Sequence, residues 1–302
     1  MKAGATHFGP EGGPEGGSDG ARDGASAPAP SREGLGSTGL PGVAGAAGAG
    51  LGLGAGGGGV LCLHGFTGSP FEVSPLAGDL DAAGFTTATP LLAGHGLDAA
   101  ALEVTGWPDW LASAEAAFTT LTARVRGPVG VVGFSMGGLL ALKLALRHPG
   151  RVAALALLSV PLRLRPSQVR GIRLLGYVPS QLRVGPLRAI PKLRGSDVSD
   201  PDVRAQNPCL TVMPLPGLES LLRLMAEVRA ELGQVRVPAL VAHARLDHTV
   251  PLADGVELAD RLGAPVVERL WLDRSFHLIG VDVERRIVAA AVTRFMTRFV
   301  RG

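Results

Sequence analysis

A serine lies between two glycines in the sequence GFSMG, residues 133–137. An apolar run at residues 129–132 precedes it, and a helical pattern of leucines at residues 139–146 follows it. A serine at a sharp turn from a strand into a helix presents its hydroxyl to a substrate carbonyl. The flanking glycines let the strand and the helix approach closely. The spacing therefore predicts that Ser135 is a nucleophile.

A nucleophilic serine needs a histidine base, which follows the serine in a chain of this strand-and-helix order. Four histidines follow Ser135: His148, His243, His248 and His277. His148 ends the helix after the serine and is expected to point away, whereas His243 lies inside a predicted strand. His248 directly follows the candidate acid. His277 lies in a loop just after the last predicted strand, from which it can fold back over Ser135, so it is the predicted base.

The acid that orients this base is expected in the loop after the preceding strand. Asp247 lies in such a loop, residues 245–251. Asp273 is the alternative, but it is only four residues from His277, a separation typical of a local turn. We therefore expect Asp247 to hold the imidazole in one tautomer and to stabilise the imidazolium, without accepting the proton itself.

Two backbone N–H groups are predicted to bind the negative oxygen that forms when the serine attacks. Met136 begins the helix after the serine, so its N–H has the positive end of the helix dipole behind it. Phe66 lies in the loop HGFTGSP, residues 64–70, directly after a predicted central strand. His64 in the same loop and His95 in a second loop are predicted to order these loops rather than to transfer protons.

Strands and helices alternate along the chain from residue 60 onward, which predicts an α/β fold with a mostly parallel, doubly wound sheet. Predicted strands cover residues 60–63, 85–89, 129–132, 152–159, 238–244 and 266–272. Predicted helices cover residues 71–83, 107–125, 139–146, 218–232 and 283–299. Residues 161–232 interrupt the alternation with many prolines and arginines. This segment is predicted to be an inserted helical cap whose apolar underside lines an acyl pocket.

The composition of the first residues differs sharply from that of the rest of the chain. Of the 44 glycines, 21 lie in the first 59 residues, where large apolar side chains are scarce. Such a stretch buries too little apolar surface to offset its chain entropy, so residues 1–58 are predicted to be a disordered leader. Residues 59–302 suit one domain with a sizeable core. The two cysteines imply no disulfide framework, and no signal peptide is visible, which favours the cytoplasm.

The net charge of +3 is unevenly placed. Residues 161–196 contain seven arginines, one lysine and no acidic residue. This excess favours anionic partners such as fatty-acid carboxylates, phosphopantetheine groups or a membrane surface touched transiently. A nucleic-acid partner is disfavoured, because no aromatic residues interleave the arginines and no known binding motif accompanies them.

Five short motifs, taken in order, resemble those of small bacterial carboxylesterases and monoacylglycerol lipases of the α/β-hydrolase superfamily. They are HGFTGSP (64–70), GHG (94–96), GFSMGG (133–138), DHTVP (247–251) and SFH (275–277). The resemblance covers about residues 59–300 and implies hydrolysis of short or medium acyl esters or of monoacylglycerols. It implies Ser135, Asp247 and His277 as a catalytic triad, Phe66 and Met136 as oxyanion donors, and neither cofactor nor metal.

Other functions remain possible on the same fold. A thioesterase or acyltransferase fits the basic cap, and a serine aminopeptidase shares the triad but needs acidic cap residues to hold a substrate amine. A non-catalytic binding module is the least favoured, because such modules usually lose a member of the triad. A dehalogenase or an epoxide hydrolase needs an aspartate where this chain has Ser135.

Overall fold

The computed structural model describes residues 50–51, 57–164, 170–172, 174, 177, 188–192 and 195–301. Nearly all of the predicted leader lies outside these residues, and so do residues 165–169, 173, 175–176, 178–187 and 193–194 of the predicted cap. Expectations for those segments stay predictions.

A seven-stranded sheet forms the centre of the described part of the chain. Its strands are β1 (Gly50–Leu51), β2 (Gly59–Leu63), β3 (Thr86–Thr89), β4 (Val129–Phe134), β5 (Val152–Leu158), β8 (Ala239–Ala244) and β9 (Val267–Leu272). They lie in the order β1-β3-β2-β4-β5-β8-β9. Every neighbouring pair is parallel except β1 with β3, so the predicted mostly parallel sheet is confirmed.

Helices cover both faces of this sheet. In chain order the helices are α1 (Ser74–Ala82), α2 (Ala99–Glu103), α3 (Trp107–Arg124), α4 (Met136–Arg147), α5 (Pro201–Gln206), α6 (Leu215–Glu231), α7 (Leu252–Arg261) and α8 (Arg285–Val300). One buried cluster joins the sheet to α3, α4, α6 and α7, and a second joins the opposite face to α1 and α8. Because both faces are covered, the central strands β2, β4 and β5 are apolar throughout, as strands of parallel sheets usually are.

Outside residues 161–232, three described elements had no counterpart in the sequence prediction: β1, α2 and α7. Gly50–Leu51 falls within the predicted leader, lies at the edge of the sheet and pairs antiparallel with β3. The predicted helix at residues 71–83 divides into a 3₁₀ turn, Pro70–Glu72, and α1. No helix of the described ranges is long and apolar enough to cross a membrane.

Between β5 and β8, the described residues include a two-stranded antiparallel sheet of β6 (Ala189–Pro191) and β7 (Val212–Pro214). Helix α6 follows β7 directly. Leu224, Met225 and Val228 of α6 belong to the same buried cluster as α3 and α4. The end of the predicted cap insertion is therefore packed on the main core.

Candidate active site

Ser135 lies at the junction of β4 and α4. Its backbone angles are φ 52° and ψ −118°, a left-handed conformation that is strained for a residue with a side chain. The turn is tight because a glycine on each side of it lets the backbones of strand and helix come close together. A Cβ on Gly133 would lie 2.3 Å from the carbonyl oxygen of Gly137, and a Cβ on Gly137 would lie 2.3 Å from that of Leu63. The predicted sharp turn, with the partly exposed Ser135 at its apex, is confirmed.

His277 and Asp247 converge on Ser135 from the loops after β9 and β8. Nε2 of His277 lies 3.1 Å from Oγ of Ser135, and its Nδ1–H donates to Oδ2 of Asp247 over 2.8 Å. The other carboxylate oxygen of Asp247, Oδ1, accepts the backbone N–H groups of Thr249 (2.9 Å) and Val250 (2.7 Å). The three predicted residues thus form one continuous line of hydrogen bonds, in the order expected for a serine, its base and its acid.

The environment of this pair stabilises its charged forms. Burial raises the pKa of Asp247, but the charge of His277 and the hydrogen bonds from His243 and His277 outweigh burial and hold the pKa well below its usual range. Burial lowers the pKa of His277, but the charge and hydrogen bond of Asp247 outweigh it, so that this pKa is raised. The raised pKa increases the proton affinity of the imidazole whose Nε2 lies beside the hydroxyl of Ser135.

Two buried carboxylates hold the loop that carries His277. Glu284 accepts hydrogen bonds from the backbone N–H groups of Arg274 and Ser275 and from the hydroxyl of Ser275. Asp282 accepts the N–H of Phe276 over 2.7 Å. On the other side of the base, Oγ of Ser159 donates to the carbonyl oxygen of His277 over 2.9 Å. The base is thus fixed from both sides.

The alternative acid Asp273 faces away from the site. Its side chain is 75% exposed and pairs with Arg245. His248 pairs with Asp197, its Nδ1 lying 2.8 Å from Oδ1, and has no contact with Ser135. His148 packs against Phe118 of α3. These side chains are not brought to the nucleophile.

The loop after β2 folds around a buried carboxyl group. The N–H of Gly65 donates to Oε2 of Glu72 over 2.8 Å, and a Cβ on Gly68 would lie 2.3 Å from either oxygen of that carboxyl. Burial raises the pKa of Glu72 to about 7. Phe66, the predicted oxyanion donor, directly follows Gly65. The other predicted donor, Met136, begins α4, where N–H groups have no acceptor within the helix.

His64 and His95 have structural contacts around this loop. The fully buried His64 donates from Nδ1 to the carbonyl oxygen of Gly65 and accepts the N–H of Leu92 at Nε2. Burial lowers the pKa of His64 to about 3 and that of His95 to about 4. The ring of His95 packs edge-on against His64 and Phe66. Both histidines are neutral and shape the loop, in agreement with the sequence prediction.

A family model described as serine aminopeptidase S33 matches residues 57–284. This chain belongs to that family of α/β hydrolases. The matched residues include every strand from β2 to β9 and the side chains of the candidate site, from His64 to Glu284.

Relatives with assigned activities cover almost the same span. A thermostable monoacylglycerol lipase of Bacillus sp. strain H-257 is 32% identical over 243 residues, which cover 80% of this chain and 90% of the relative. A carboxylesterase of Bacillus subtilis strain 168 is 26% identical over 239 residues, covering 79% and 92%. A solved structure described with the metagenome-derived lipolytic enzymes LipS and LipT has a TM-score of 0.74 at 30% identity, covering 82% of this chain and 96% of that one.

Sequence reasoning missed three polar side chains around the active site of this α/β hydrolase. They are Glu72 beneath the loop after β2, His243 beside Asp247, and Asp282 behind His277. Each of them lies outside the recognised motifs or is flanked by apolar residues in the sequence, so the local sequence does not mark it. The one available signal is a polar residue inside a predicted strand, as at His243, which could have prompted a search for its polar partner. Among the described residues, no group of three or more His, Cys, Asp or Glu side chains could hold a metal ion.

Proposed function

We propose that this protein is a serine hydrolase that cleaves carboxylic esters, either short or medium acyl esters or monoacylglycerols, through an acyl-enzyme. The observation that carries the proposal is the line of hydrogen bonds from Asp247 through His277 to Ser135. The activities of the two Bacillus relatives support the choice of a carboxylic-ester hydrolase. A lipid-derived substrate and transient contact with a membrane surface are part of the same proposal.

In the first half of the reaction, Oγ of Ser135 attacks the ester carbonyl carbon while Nε2 of His277 removes the hydroxyl proton. The negative oxygen of the tetrahedral intermediate accepts hydrogen bonds from the backbone N–H groups of Phe66 and Met136. Loss of one such donor typically costs about 3 kcal/mol of transition-state stabilisation. Asp247 stabilises the imidazolium, and its low pKa keeps it ionised while it does so.

In the second half, the imidazolium of His277 protonates the leaving alcohol, and the ester bond to that alcohol breaks. A water molecule then gives its proton to His277 and attacks the acyl-enzyme. The acid is released, and Ser135 regains its proton. No further group is needed to balance the reaction.

An aminopeptidase needs a free carboxylate near the site to bind the substrate amine. Asp197, Asp200 and Asp202 follow the basic segment. Asp197 accepts hydrogen bonds from His248 and Thr249, and Asp200 caps the start of α5. The carboxylates of Asp197 and Asp200 therefore already have partners, which makes them poor ligands for a substrate amine.

The test is a substrate panel on the wild type and on Ser135→Ala. The panel contains p-nitrophenyl esters from acetyl to palmitoyl, monoacylglycerols, acyl thioesters and aminoacyl amides. We expect ester hydrolysis with a chain-length optimum, and a loss of at least about 1,000-fold in kcat in the variant, because the nucleophile is gone. Ser74→Ala, which removes an exposed serine hydroxyl bonded to Pro70, is the matched control and keeps full activity. Faster thioester or amide cleavage, or an active Ser135→Ala, contradicts the proposal.

A further inference from the structure

His243 is a fully buried histidine in β8 that lies next to the candidate acid. Its Nε2 is 3.3 Å from Oδ2 of Asp247 and 3.1 Å from the carbonyl oxygen of Val250. We propose that His243 is a positioning residue for the reaction: it fixes the carboxylate of Asp247, which two imidazoles therefore share. This inference rests on the proposed function, because it assigns a role to a neighbour of the proposed acid.

The contacts of the ring determine its tautomer. The carbonyl oxygen of Val250 can only accept a hydrogen bond, so Nε2 of His243 carries the proton and donates it. The same N–H faces Oδ2 of Asp247. Nδ1 is buried with no partner among the described residues, and a Cβ on Gly255 would lie 2.8 Å from it. A proton on Nδ1 would be a buried N–H without an acceptor, so the ring donates through Nε2 and is held between β8 and α7.

The carboxylate of Asp247 accepts three hydrogen bonds and has one further N–H close by. Oδ1 accepts two backbone N–H groups of its own loop, from Thr249 and Val250. Oδ2 accepts Nδ1–H of His277 over 2.8 Å, and Nε2 of His243, which donates to Val250, lies 3.3 Å from the same oxygen. Without His243, the only side chain in contact with Oδ2 is that of His277, the proposed base, which this oxygen has to orient. His243 ties the carboxylate to the central sheet, which does not move with the loop of His277.

The N–H of His243 also affects the interaction between Asp247 and His277. Its partial positive charge lowers the proton affinity of the Asp247 carboxylate, and so moderates the attraction of that carboxylate for the imidazolium of His277. Removal of that donor is expected to raise the pKa of His277 further. The other charged groups that face His277 are Asp197 and Glu72, and both stay unchanged in the variants below.

The experiment compares His243→Gln with His243→Leu. A glutamine amide can place its N–H near the position of Nε2, whereas leucine fills similar space without a donor. We expect His243→Leu to lower kcat at least about 10-fold, the usual effect of losing a residue that orients a catalytic group. KM stays within about 2-fold, because His243 does not contact the substrate. The acid limb of kcat/KM moves to higher pH, and His243→Gln recovers most of both changes.

A role in packing alone would give equal losses in the two variants, or a wild-type pH profile with a lower melting temperature. Either outcome overturns the proposal, as does a fully active His243→Leu. If His243→Leu does not fold, His243→Asn replaces it, because the shorter amide cannot reach Oδ2.

A second measurement does not depend on ester hydrolysis. The hydrogen-bonded Nδ1 proton of His277 gives a low-field proton NMR signal, which we expect to move in His243→Leu and to stay in place in His243→Gln. If the wild type cleaves no ester, the proposed function fails while this signal still tests the shared carboxylate. An unmoved signal in His243→Leu overturns the inference even when the esterase activity is confirmed.

Discussion

At the scale of single residues, the protonation of Glu72 is coupled to the loop that carries Phe66. The carboxyl group is buried and has a pKa of about 7 in the folded chain, against 4.5 in its unperturbed state. Around neutral pH, the carboxyl group that this loop encloses is therefore neutral in about half of the molecules. Its ionised form brings a negative charge close to the site where another negative charge develops during catalysis.

Glu72→Gln tests this coupling through the pH dependence of stability. In the wild type, the unfolded chain loses the proton near pH 4.5 and the folded chain near pH 7. The free energy of unfolding therefore contains a contribution that is complete below 4.5 and is lost as the pH rises through 7. Its size is about 3 kcal/mol. Glutamine does not titrate, so the stability of the variant relative to the wild type rises by about that amount over this interval.

Denaturant unfolding across this pH range measures the difference. Glu268→Gln is the control, because Glu268 lies on the surface and pairs with Arg298. Parallel stability curves for the wild type and Glu72→Gln would show that the carboxyl group does not titrate at a raised pKa.

The residues of the proposed reaction could be predicted because each one follows a recognisable element. Ser135 lies between a strand and a helix, and Asp247 and His277 each follow a predicted strand. Glu72 and His243 could not be predicted in the same way. Their roles arise from contacts with backbone groups and side chains that only the folded loops bring near, and a glutamate or a histidine alone in a sequence does not reveal its partner.

At the scale of elements, the start of α4 is packed directly on the backbone of β2. A Cβ on Gly137 would lie 2.3 Å from the carbonyl oxygen of Leu63 and 2.7 Å from that of His64. Backbone atoms in a central strand cannot move aside as a flexible side chain can. This approach explains why the second residue of the helix is a glycine.

Gly137→Ala is expected to lower the free energy of unfolding by at least about 3 kcal/mol and to reduce kcat sharply, because helix and strand must separate. Gly78→Ala is the matched control. Gly78 lies inside α1, and a Cβ there meets nothing within 4 Å, so alanine is expected to raise stability by about 0.5–1 kcal/mol. Thermal and denaturant unfolding of both variants provide the comparison, and an unchanged Gly137→Ala would contradict the close approach.

Elements with long apolar runs or clear helical spacing were predicted within a few residues of their observed ends. The predicted strand at residues 238–244 is observed as Ala239–Ala244, and the predicted helix at 107–125 as Trp107–Arg124. The sequence pattern did not reveal α7 or the β6–β7 pair. The strands β6 and β7 have only three residues each, so that tertiary pairing rather than local periodicity decides their structure.

At the scale of the whole molecule, Asp282 joins segments that are far apart in the sequence. Its two oxygens accept the N–H groups of Ser199, Asp200, Phe276 and Val283 over 2.7–3.0 Å. In the same region, the N–H of Leu278 donates to the carbonyl oxygen of Asp197. The chain that returns from the cap is thus hydrogen-bonded to the loop of the proposed base.

Asp282→Asn tests how much this junction, the four hydrogen bonds that Asp282 accepts, contributes to the free energy of unfolding. An amide has one acceptor oxygen, so two of the four part-buried N–H groups lose their partner, at about 1–3 kcal/mol each. We expect a loss of about 2–4 kcal/mol in the free energy of unfolding and a lower kcat. Asp273→Asn, which breaks an exposed pair with Arg245, is the control and should change stability by less than about 1 kcal/mol. Equal stability of the two variants would contradict the junction.

The contact between α4 and β2 also has a consequence for the evolution of this enzyme. The two proposed oxyanion donors are main-chain groups, and the spacing between the elements that carry them is set by the carbonyl oxygens of Leu63 and His64 against Gly137. Replacing either side chain leaves its own N–H group in place, but Met136 is fully buried in the core and Phe66 packs against Trp110. The main-chain groups proposed to stabilise charge are therefore inherited as long as Gly137 keeps helix and strand in contact, whatever side chains the lineage acquires elsewhere.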